Sequence, residues 1–264
     1  MSKTALKVAG SKPSRASVAE ATHGTEAGAP VRPAWAYPKR GLATALRWPL
    51  LLFALGALAI ATVDGPIAKY DFPNSAPRQL MAVVNHAEVF GNGVCVVFFL
   101  AAVWLLDPAR RRMIPRLACA SWGAGIAANL VKLCVTRERP YRWLDTGANS
   151  IGEQFGHWFP LAGNPSMNQS FPSAHTATAV GLALGLTALY PRGGKLFGLL
   201  AALVAIQRFA GDMHFVSDTL FAAGVALLTG LALYRLPVCA RAFERFEAGA
   251  VPATAVPSEV RRAA

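Results

Sequence analysis

Three groups of residues along the 264-residue chain have the types and spacing to handle an anion. The first is Lys132 with Arg139-Pro140, two cations whose separation lets them converge on one ligand. The second is Ser170-Phe-Pro172-Ser173-Ala174-His175, directly before an apolar run. Here Pro172 is expected near the first helical position, and the amides that follow it, with the Ser173 hydroxyl, make a helix N-terminus suited to anions. The third is Arg208 with His214 and Asp218. A His and an Asp four apart share a helical face, where the carboxylate accepts from one ring nitrogen and leaves the other free to attack. Cations and N–H donors for equatorial oxygens, a nucleophile and an acid for the leaving oxygen are the parts phosphoryl transfer needs. Such a set requires no acidic cage for a metal.

These groups need elements that bring them to one place. Hydrophobic residues make up 54% of the chain and charged ones 15%, against about 25% charged in an ordinary soluble domain, which excludes a disordered chain and argues against a soluble globule. The net charge of +12 does not indicate nucleic acid, because the basic residues flank long apolar runs. Cys95, Cys119, Cys134 and Cys239 show no CxxC or metal-ligand spacing and read as buried free thiols. Six segments approach the roughly 20 apolar residues that span a bilayer: Trp48–Val63, Glu88–Leu106, Ile114–Leu133, Ser173–Tyr190, Lys195–Phe209 and Phe215–Tyr234. The fold class expected is therefore all-α, a six-helix membrane bundle over residues 47–236. A basic tail, expected to be disordered, precedes it at 1–46, and a C-terminal tail follows at 237–264.

Basic residues crowd the two tails and the second and fourth connections, so both termini are expected on the cytoplasmic side. Lys132, Arg137, Arg139, Arg142 and Arg208 break that pattern by falling at the external face, as does the long third connection, Cys134 to Pro172. Each group has an ordinary reading as well. The cations could be interfacial anchors, the His214/Asp218 pair a local hydrogen bond, and His175 a polar residue at a helix start. All of them in order, on one expected face, favour the catalytic reading.

The three groups, Lys132-x6-Arg139-Pro140, Pro172-Ser173-Ala174-His175 and Arg208-x5-His214-x3-Asp218, resemble the signature motifs of the type 2 phosphatidic acid phosphatase superfamily, which includes the vanadium haloperoxidases. The resemblance implies a lipid phosphatase with no cofactor and no metal. By the same resemblance His214 would be the nucleophile that forms a phosphohistidine, Asp218 would hold its tautomer, and His175 would be the general acid. Lys132, Arg139, Ser173, Ala174 and Arg208 would bind the phosphate. Ala174 stands where the family has Gly, and Gln207 where Ser is common. If the first of these positions needs a positive φ, Ala strains the cradle; if it is helical, Ala fits.

The partners implied are membrane lipids and a lipid phosphate or diphosphate: phosphatidic acid, phosphatidylglycerophosphate, polyprenyl diphosphate or the phosphates of lipid A. The location implied is a bacterial inner membrane, with the site facing the periplasm. A lipid phosphotransferase using the same phosphohistidine and a non-catalytic bundle that binds anionic lipid are the alternatives. Arg137, Arg142 and His157 are left outside the site. His86, Glu88 and Asn129 read as interfacial polar groups, and the aromatics Tyr141, Trp143, Trp158 and Phe159 as interfacial residues.

Overall fold

The computed structural model describes residues 41–145, 154–159 and 165–248. The elements run α1 (Leu42–Thr62), α2 (Asp64–Ala68), α3 (Phe72–Ser75), α4 (Arg78–His86), α5 (Glu88–Gly91), α6 (Val96–Leu106), α7 (Ile114–Lys132), β1 (Val135–Arg137), α8 (Pro140–Asp145), β2 (Phe155–Trp158), α9 (Ala174–Leu189), α10 (Gly194–Ala210), α11 (Val216–Arg235) and α12 (Pro237–Ala248). Each of the six expected segments falls on helix. The basic tail before residue 41 lies outside the described residues, as does the chain after 248. Within the expected C-terminal tail, α12 forms, and Arg116 of α7 meets its Glu247 at 2.9 Å.

Helix α9 is the axis of the bundle. Most of its 16 residues are buried, enclosed by α7, α10, α11 and the short α5. It approaches α7 closely because Gly181 has no side chain: a Cβ there would land on the Ala120 carbonyl. Near the site, Ala128, Ala177 and Ala222 continue this close approach. Each lies one turn inward from Lys132, Ser173 and Asp218 respectively, so small residues draw together the three helix ends that carry those groups. Leu50, Leu55 and Leu58 of α1 and Phe98, Trp104 and Leu105 of α6 point outward and stay exposed, an apolar surface suited to lipid. Helix α1 packs on α11, with the Phe53 and Phe221 rings 5.6 Å apart.

Two sequence expectations change, those for the second segment and for the cysteines. The second segment is not one helix: Arg78–Gly91 and Val96–Leu106 meet at a 71° bend. Asn92 makes the break, its side-chain oxygen accepting from the amides of Val94 and Cys95 at 2.9 and 3.4 Å. By length and apolarity three helices among the described residues could cross a bilayer, or four with the bent pair. Helix α9, at about 24 Å, is shorter than a hydrocarbon core of about 30 Å, and α7 carries Arg116 and Lys132. The cysteines are free but not buried: Cys119 is exposed and the other three are partly so.

Candidate active site

The third connection is a scaffold laid across one end of the bundle. Strand β1 pairs antiparallel with β2, Val135 opposite Trp158 and Arg137 opposite Phe155. On its other side Arg137 bridges Gln169, and its carbonyl accepts from the Ser170 amide at 3.0 Å. This short sheet, not expected from the sequence, holds Lys132, Arg139 and Ser170 in one layer. The Arg139 amide adds a bond to the Met167 carbonyl at 3.2 Å.

His214 arrives on a tight reversal. After α10 ends, Asp212 takes a left-handed φ of 55°, and the amides of Met213 and His214 both return to the Arg208 carbonyl, at 3.2 and 3.1 Å. His214 therefore precedes α11 and does not share a helical face with Asp218. Asp218 sits at the third position of α11, where its Oδ2 accepts from the Phe215 amide at 2.9 Å and closes the helix start.

The orientation of the imidazole follows from these contacts. Its Nδ1 lies 2.7 Å from the Ser170 carbonyl oxygen and 3.6 Å from Asp218 Oδ2. A carbonyl only accepts, so Nδ1 carries the proton and Nε2 keeps its lone pair. The Ser170 backbone thus shares the orienting role expected of Asp218 alone, and the Ser170 hydroxyl donates to Asp218 Oδ2 at 2.5 Å. Burial pushes the His214 pKa down to about 4; the pull of Asp218 opposes this and the Lys132 and Arg208 charges add to it. The ring is neutral near pH 7, the form a nucleophile requires.

Behind Asp218 lies a sealed charge cluster. Arg137, fully buried, donates through Nη1 to Asp218 Oδ1 at 2.5 Å and to Ser217 at 2.7 Å. Through Nη2 it reaches Asp64 and the Gln154 side chain, each at 2.7 Å. Its guanidinium lies between the rings of Phe155 and Phe215, 4.7 and 4.1 Å from their centroids. Ser217 completes the cluster by donating amide and hydroxyl to Asp64. Asp64 escaped the sequence reading, and Arg137 was left outside the site. The signal available was Asp64 itself, an acid directly after an apolar helix, which needs a partner.

On the other side Arg139, His175 and Glu88 are partly exposed, while Lys132, Ser173 and Arg208 are buried. Lys132 Nζ donates to the Gln169 carbonyl at 2.5 Å. Arg139 donates from Nε to the Ser166 carbonyl at 3.1 Å and touches Met213 Sδ at 3.4 Å. Ser173 caps α9, its Oγ accepting from the Thr176 amide at 3.3 Å and the Thr176 hydroxyl at 3.0 Å, so its own proton remains to donate. Pro172 therefore precedes the cap and is not the first helical residue. Ala174 opens the helix and is not among the positive-φ residues, so it fits without strain and presents its amide. Arg208 donates from Nη1 to Glu88 at 2.7 Å and to Gln207 at 3.2 Å, while its buried Nε has no partner among the described residues. His175, in the first turn of α9, has Nε2 3.6 Å from Glu88.

These groups converge. The charges of Arg208, Glu88, Lys132 and Arg139 all act on His175, and those of Asp218, Lys132 and Arg208 act on His214. Glu88, read from sequence as an ordinary interfacial group, belongs to the site. His86 lines a groove of about 270 Å³ with Glu88, Asn85 and Asn92. Arg142 pairs with Glu138 at 3.1 Å and His157 sits on the exposed β2, while Asn129 is exposed. Trp143 is buried, whereas Tyr141, Trp158 and Phe159 are exposed. Among the described residues no group of three or more His, Cys, Asp and Glu is placed to hold a metal ion.

Comparison with known proteins gives the family. Residues 115–241 match the family described as the PAP2 superfamily. The lipid A 1-phosphatase of Rhizobium johnstonii is 30% identical over 215 residues, covering 72% of this chain and 82% of that protein. That of Rhizobium etli is 27% identical over 215 residues, covering 72% and 87%. Among solved structures, the transmembrane PAP2-type phosphatidylglycerolphosphate phosphatase of Bacillus subtilis covers 71% of this chain and 94% of its own, with 18% identity and a TM-score of 0.46. The chain belongs to the PAP2 superfamily, that of the type 2 phosphatidic acid phosphatases, and is a membrane lipid phosphatase.

Proposed function

We propose that the protein hydrolyses a lipid phosphomonoester or diphosphate at the external face of the inner membrane, through a phosphohistidine on His214, with lipid A 1-phosphate as the first substrate to try. The observation that carries the mechanism is the His214 Nδ1 bond to the Ser170 carbonyl, which leaves Nε2 as the nucleophile beside the cations. The lipid A preference rests on the named relatives.

In the first step Nε2 attacks phosphorus in line, the bond to the leaving oxygen breaks, and His175 supplies that oxygen with a proton. Lys132, Arg139, Arg208, the Ser173 hydroxyl and the first amides of α9 hold the equatorial oxygens. In the second step water attacks phosphorus, His175 takes its proton, and the P–N bond breaks to release inorganic phosphate. Asp218 steadies the imidazolium that forms between the steps. The basic loops support six spans with both termini cytoplasmic and the site external.

The test is phosphate release by the detergent-purified protein, with EDTA present, from lipid A, phosphatidic acid, phosphatidylglycerophosphate and a polyprenyl diphosphate. Release from lipid A that falls about 10³-fold or more in His214→Ala is expected. Equal release by that variant would remove the assigned nucleophile, and release from another lipid alone would replace the substrate.

A further inference from the structure

A carboxylate inside a site built for an anion needs a reason. Glu88 is the first residue of α5, and its Oε1 holds Arg208 Nη1 at 2.7 Å while standing 3.6 Å from His175 Nε2. Its Oε2 is met by Gln207 Nε2 at 3.5 Å. The contact follows from packing: Gly91, one turn along α5, has no side chain, and a Cβ there would stand 2.7 Å from the His175 carbonyl oxygen and 2.6 Å from Val204. Helix α5 thus lies directly against the start of α9.

Two further observations bear on what Glu88 does there. Arg208 is satisfied on one side only: Nη1 is paired, but the buried Nε has no acceptor among the described residues. Glu88 is not locked in, since its side chain is 39% exposed and borders the groove with Asn85, His86 and Asn92. The cradle cations Lys132, Arg139 and Arg208 bring three positive charges. Glu88 offsets one, leaving two, the charge of a phosphomonoester dianion.

We propose that Glu88 competes with phosphate for Arg208: it holds the guanidinium in the empty site, yields it to the phosphoryl group of the substrate, and reclaims it to expel inorganic phosphate. This rests on the phosphatase reading above. Glu88 acts through Arg208 and is a positioning residue. Without it the cradle would hold its product too firmly.

The experiment is steady-state kinetics of wild-type protein, Glu88→Gln and Glu88→Asp, with inhibition constants for inorganic phosphate and orthovanadate. Both variants are expected to bind the two anions about tenfold more tightly and to lower KM, while kcat falls because product leaves slowly. A residue that merely supported the fold would weaken anion binding and raise KM instead. Unchanged or weaker inhibition in both variants overturns the proposal, and Glu88→Asp serves if Glu88→Gln does not fold. Failure of the phosphatase reading appears separately, as wild-type protein that neither releases phosphate nor responds to orthovanadate.

Discussion

The two sides of His214 treat charge in opposite ways. Behind it, Asp218, Arg137 and Asp64 are sealed from solvent, and charges of opposite sign pair with one another there. In front of it, Lys132 and Arg139 lean on backbone carbonyls, and Arg208 on a half-exposed carboxylate. A charge paired with another buried charge has no better partner to find, so it fixes position. A charge resting on a weaker acceptor gains when a dianion arrives, so it binds. The same residue types thus serve as frame on one side and receptor on the other.

Arg137→Met should break this contrast most severely. It leaves Asp64 and Asp218 buried without their cation, a change that typically costs about 3–5 kcal/mol. Thermal unfolding in detergent should show a large drop, and Arg137→Lys should recover only part of it, since an ammonium cannot span two carboxylates. Equal stability of all three proteins would mean that the sealed side is not a frame.

A somewhat smaller effect separates the sides by pH. The His214 pKa, about 4 when folded, lies below the ordinary 6.5. Between these values the unfolded chain binds more protons, so stability is present above about pH 6.5 and is lost as pH falls toward 4, by up to about 3 kcal/mol. Unfolding followed across this range should show the slope in wild type and lose that share of it in His214→Gln. An identical slope in both would place the titration elsewhere.

Arg139→Lys, on the open side, should do least. Stability should stay within about 0.5 kcal/mol, while KM rises about tenfold as the forked contact becomes a point charge. A loss of stability comparable to that of Arg137→Met would erase the distinction between the two sides.

The helices and the three motif groups were legible because apolar runs and residue spacing are local properties. The break at Asn92 was not, since the residues on both sides are apolar and only the side-chain bonds to Val94 and Cys95 show the chain turning. Nor could Arg137, Arg139 and Arg142 be told apart by type. Their roles were decided by the pairing of β1 with β2 and with Gln169, which buries the first and leaves the third on Glu138. Glu88 was misjudged for a similar reason: the close approach of α5 to α9 through Gly91 joins parts of the chain far apart in sequence.

The enclosure of α9 has a mechanical consequence. Hydrophobic mismatch acts on the helices that touch lipid, and those with the most outward apolar surface are α1 and α6. A thinner or thicker bilayer tilts these first, and the tilt passes to α9 through α11 on one side and through α7 and α5 on the other. The helix that carries Ser173 and His175 thus feels membrane thickness through its neighbours, and the spacing of the site is set by protein packing on protein.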